Sequence, residues 1–116
     1  MTALDPAARC EQIVQLLHSL GYIYGCHGQT KRALVLLLIA ARLAPDNAGV
    51  LRTLAHGFLL DGAPERATAV IDRLRQMPAA EDPMVDLLAS HALWASGREG
   101  EARRAFRAFL DHRRGR

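Results

Sequence analysis

Cysteine is scarce in this chain of 116 residues: Cys10 and Cys26 stand sixteen residues apart, with no C-x-x-C and no paired His spacing. That excludes a zinc-binding framework and a disulfide scaffold, and it suits a reducing, cytoplasmic setting. No apolar stretch reaches the roughly twenty residues that cross a bilayer, so membrane insertion is not expected. The opening "MTALDPAARC" lacks a basic start followed by an apolar segment, and no secretory signal is read there. Catalytic groupings are missing too. His18, His27, His56, His91 and His112 include no pair four apart on one helix, there is no phosphate-cradling glycine loop, and no nucleophile stands with a base. Glu81, Asp82 and Asp86 read as the acidic start of a helix. The expectation is a protein that is not an enzyme and holds no metal or cofactor.

Charge of one sign is also unevenly spread. From Arg98 onward seven arginines face Glu99, Glu101 and Asp111, a local balance of plus four against plus three for the whole chain. Arginine at a helix C-terminus complements the macrodipole, so the basic end reads as a solvated helix terminus and not as a nucleic-acid site.

What the chain does have is repetition. Gly28, Gly62 and Gly97 are spaced by 34 and 35 residues, and each is followed five residues later by Ala33, Ala67 or Ala102. A period of this length with a mid-repeat glycine turn and a fixed small residue indicates helix-turn-helix units. The first copy carries Leu17, Leu20-Gly21, Tyr24, Ala33, Leu37, Ala40 and Pro45. The second carries Leu51, Leu54-Ala55, Phe58, Ala67, Ile71 and Leu74, and the third Leu93, Ala102, Phe106 and Phe109. This pattern resembles the tetratricopeptide repeat. The reading is all-α: one domain over residues 1–116 with repeats at about 14–47, 48–82 and 83–116, the first helix extended from about residue 6, in a short right-handed superhelical array.

Six helices are predicted, over about 6–26, 30–43, 47–60, 64–76, 83–95 and 99–112. Asp5-Pro6 is a cap followed by a first-turn proline, Pro64 and Pro83 sit in first turns, and Pro45 and Pro78 stop the helices before them. The run "ALVLLLIAARL", Ala33 to Leu43 with Arg42 as its one interruption, then reads as a helix covered by neighbours on several sides.

The resemblance implies that the first helix of each repeat lines a concave groove. It puts His18 and Tyr22, then Arg52, His56, Leu59 and Leu60, then Leu87, His91 and Trp94 into that groove. A lining with the chain's one Trp suits an apolar peptide segment. Repeat domains that clamp chaperone C-termini carry Lys, Asn and Arg at places held here by His18, Tyr22, Thr53, Met84 and Leu88, so an acidic C-terminal peptide is not the expected ligand. Phe106, Phe109 and Leu110 on the last helix are expected to leave an apolar end that a partner covers.

Over nearly its whole length the chain also resembles the small type III secretion chaperones of the YscY (SctY) family. The likeness rests on its size, on "LLHSLGYIYGCHGQTKRALVLL" leading into "LAPDNAG", and on "ARRAFRAFLDHR". It implies a cytoplasmic chaperone that binds one small secreted protein of the YscX (SctX) family and also engages the export-gate protein SctV. Chaperones of pore-forming translocators are the neighbouring alternative; they are typically longer, with a further helical segment ahead of the repeats. A nucleic-acid binder using the basic end and a self-assembling subunit stacking through its third repeat are readings of other classes.

Overall fold

The computed structural model describes residues 5–78 and 82–115, and among these every regular element is a helix. The helices are α1 (Pro6–Cys26), α2 (Thr30–Leu43), α3 (Ala48–Leu60), α4 (Pro64–Arg75), α5 (Pro83–Ala95) and α6 (Glu99–Arg114). The six predicted elements are all present, with ends displaced by two residues at most. Glu81 lies outside the described residues.

Odd and even helices begin differently. Asp5, Asn47 and Asp82 cap α1, α3 and α5, their side chains accepting the amides of Ala8 (2.7 Å), Val50 (3.0 Å) and Met84 (2.9 Å). The even helices have no side-chain cap and follow directly from a glycine turn. Gly28, Gly62 and Gly97 have φ of 76°, 74° and 82°. In each turn the amide just after the glycine donates to a carbonyl five residues back: Gln29 to Tyr24, Ala63 to Phe58 and Arg98 to Leu93, all at 2.9 Å. This is one turn geometry made three times, closed each time by a glycine that alone tolerates the left-handed backbone.

The turns fold the chain into three antiparallel pairs, α1–α2, α3–α4 and α5–α6, each packed on the next; α3 also touches both α1 and α5. The molecule measures 56 × 33 × 21 Å, and its radius of gyration of 15.4 Å exceeds the roughly 13 Å of a rounded domain of similar size. Ala33, Ala67 and Ala102 are buried where paired helices approach. A Cβ at Gly21 would stand 2.8 Å from Leu37 Cγ, so α1 and α2 come together as closely as glycine permits. Leu34, Leu37, Leu54, Phe58, Ile71, Leu74, Val85 and Leu88 form the continuous core.

Polar ties supplement the core. Asp86 stands in the first turn of α5, as the acidic helix start implies, and is also a buried junction. It accepts from Arg75 of α4 at 3.3 Å and from His112 Nδ1 of α6 at 2.8 Å.

Two expectations need correction. The "ALVLLLIAARL" helix is not covered on several sides: Ala33, Leu34, Leu37 and Ala40 are buried, but Val35, Leu38, Ile39 and Leu43 are exposed. The reason is position, because α2 belongs to the terminal pair and has only α1 and α3 as close neighbours. Phe109 is not part of an open end either. It is 9% exposed, faces inward with Ala102, stacks on Phe106 at 5.9 Å and is overlaid by the Arg113 guanidinium.

Candidate functional site

A groove of about 900 Å³ runs across the molecule, walled by α1, α3, α5 and α6. Two rows of residues one repeat apart run along it. Arg52 and Leu87 form one row; Tyr22, His56 and His91 form the other. Within each helix the members of the two rows are four residues apart and so project from one face. Met84, Leu88 and Ser90 join them from α5, and Trp94 stands at the rim.

The fourth wall was missing from the sequence expectation. Ala102, Phe106 and Leu110 on α6 repeat at intervals of four and line the groove, with Arg103 and Arg107 following at the same interval. The signal was present in that spacing, but α6 was taken as an end and not as a wall. Phe106 and Leu110 thus belong with Trp94, in one groove and not in a separate patch.

Of the remaining expected residues, His18 sits beside the groove, its Nε2 2.8 Å from the Thr53 hydroxyl. Thr53 gives its own proton to the Gly49 carbonyl at 3.1 Å, so His18 is the donor. Burial, and secondly the neighbouring Arg52 charge, hold the His18 pKa below its ordinary value of 6.5. Leu59 does not reach the groove: it is half-buried against the central core. Leu60 is exposed but lies outside the lining.

The groove is apolar along its floor and cationic at its edge. Tyr22 is 61% exposed and Trp94 56%, and Met84 and Phe106 are also open, so the large side chains here are not completing the core. Arg52 is held by Asp82 at 2.9 Å, while Arg103 lies 3.9 Å from Glu99. Among the described residues no carboxylate lines the groove. Such a surface can bury an apolar segment between aromatic anchors and meet negative charge on its flank. Among the described residues no three His, Cys, Asp or Glu side chains are grouped as metal ligands, and no helix is long and apolar enough to cross a membrane. Cys10 and Cys26 are free thiols.

Compared with known proteins, the chain matches no family model and no curated protein. Its functional reading therefore rests on the groove and on the sequence patterns described above.

Proposed function

We propose that this protein is a tetratricopeptide-like binding module of three repeats, acting as a cytoplasmic secretion chaperone of the SctY type. Its groove holds a helical segment of a small secreted protein resembling SctX, buries that segment's apolar stripe, and keeps it soluble until delivery to the export gate, SctV. No bond is made or broken. The observation that supports this reading most is the set of four exposed large side chains, Tyr22, Met84, Trp94 and Phe106, gathered around one groove. Groove volume and shape suit a helix laid in a cleft, recognised through anchors three or four residues apart. Arg103 and Arg107 on the α6 wall add a preference for a segment with carboxylates beside its apolar stripe.

The test is co-expression of the tagged protein with the small open reading frames encoded beside it, followed by the masses of the purified complex. The expected result is one small protein in stoichiometric amount. Trp94→Ala should weaken its binding by more than about 2 kcal/mol while the helical circular dichroism is unchanged, as for an interface anchor. A companion held equally well by the Trp94→Ala protein would remove the groove from the reading.

One observation favours a second reading. Arg103 and Arg107 line the same groove as Phe106 and Trp94, and Arg103, Phe106, Arg107 and Phe109 alternate along α6. Arginines beside stacking rings are also the elements of a single-strand nucleic-acid site. Steeply salt-dependent binding of an oligonucleotide, abolished by Arg107→Glu, would support it; the aliphatic floor of Leu87, Leu88 and Met84 favours protein.

A further inference from the structure

Away from the groove, the outer side of the first helix pair carries a second apolar surface. Ile13, Leu16, Leu20 and Ile23 of α1 recur at intervals of three and four and share one face of the helix. All four are exposed. Val14 and Gly21, which turn toward α2 and the core, lie on a different side of the same helix. On α2, Ile39 and Leu43 are exposed with the same spacing, beside the half-buried Leu36. Helical geometry places these residues on the side of α2 that continues the α1 stripe, since Leu34, which turns toward α3 at Gly57, lies on the opposite side. The antiparallel packing of Gly21 on Leu37 and Ala33 sets Leu20 level with Leu36, so the two stripes run side by side, on the side away from the contact of Leu34 with Gly57.

This is a face with nothing against it in the single chain, on helices whose composition is that of covered helices. We infer that it is an interface between two copies of this protein, joined about a two-fold axis. Area supports the assignment. A specific interface buries about 800 Å² on each side, and in homodimers about 65% of it is apolar, so each copy must offer on the order of 500 Å² of apolar surface. Six aliphatic side chains, each 37–59% exposed, amount to an area of that order. It also exceeds what scattered surface residues require.

Charge supports it as well. Glu11, two residues before Ile13, projects from the far side of α1. The polar groups at its margins are engaged within the chain, Arg32 with the Gln29 side chain at 3.1 Å and His27 with the Ile23 carbonyl at 2.8 Å. The centre offers a partner no charge to select by, only shape. An aliphatic surface of that kind is complementary to itself, as an isologous contact requires.

The experiment is the solution mass by light scattering and sedimentation across the micromolar range, on the full chain and three variants. The expected mass is twice the 12.7 kDa of the chain. Leu16→Glu and Ile23→Glu replace exposed residues, so the helical circular dichroism should persist while the mass falls to that of one chain. Trp94→Ala, in the groove, should leave the dimer intact, which keeps this result separate from that of the chaperone test. A single-chain mass at every concentration would overturn the inference, as would a dimer that survives both glutamate variants. Flotation of a single-chain protein with vesicles of anionic phospholipid, lost on Leu16→Glu, would assign the face to a membrane surface and equally overturn it.

Discussion

The two ends of this molecule are built alike and finished differently. The first pair, α1–α2, and the last, α5–α6, share the same side-chain cap, the same glycine turn and the same buried alanine, Ala33 or Ala102. Yet α1 and α2 carry aliphatic residues on their outer surfaces, whereas α6 turns Arg104 and Asp111 to the exterior and keeps Phe109 inside. Repetition thus governs how each pair closes, and the outer residues alone decide whether an end stops or continues. Of the apolar residues expected at the C-terminal end, Phe106 is exposed and Phe109 is buried.

The largest test of that contrast removes a core residue from each end. Leu37→Ala and Phe109→Ala should each lower stability by about 3 kcal/mol in urea unfolding, the ordinary cost of a large cavity. Their exposed neighbours Val35→Ala and Phe106→Ala should change it by no more than about 0.5 kcal/mol, and of these Phe106→Ala should also weaken groove binding. A Phe106→Ala protein as unstable as Phe109→Ala would break the comparison. A smaller effect sharpens it. Gly28→Ala, Gly62→Ala and Gly97→Ala introduce a Cβ that meets nothing within 4 Å, so only the backbone cost of about 1 kcal/mol applies at each turn. Equal losses at all three would locate the difference between the ends entirely on their outer surfaces.

The smallest effect is one of pH. His18 stays neutral in the folded protein because burial, and then Arg52, hold its pKa below 6.5. The unfolded chain binds more protons below that value, so the His18 contribution is complete above pH 6.5 and declines as pH falls beneath it. The stability of His18→Gln should fall less steeply over that acid range; an unchanged slope would mean that His18 is not the group responsible.

Helix placement was legible in the chain because its signals are local: Asp5-Pro6, Gly28, Pro64, Gly97 and the prolines that follow the first two pairs, Pro45 and Pro78, act within a few residues of themselves. The groove was legible through phase, since Tyr22, His56 and His91 recur at the same place in successive units. Phase also carried a warning about Phe109. It stands in register with Ala40 and Leu74, both buried, and so belonged to the core by the same logic. What was not legible is adjacency. Val35 and Ile39 have the chemistry of covered residues, and no local feature says whether a neighbouring helix arrives to cover them. The α6 wall was missed for the same reason: Ala102, Phe106 and Leu110 declare an apolar face without naming what it looks onto.

Asp82 gives the groove one further property. One oxygen of its carboxylate accepts the Met84 amide at the start of α5, and the other holds Arg52 of α3 at 2.9 Å. Two of the four walls, α3 and α5, are therefore fastened together by a single short side chain, which sets a fixed gauge between them. A cleft held at one width from within admits its occupants by thickness before it sorts them by sequence.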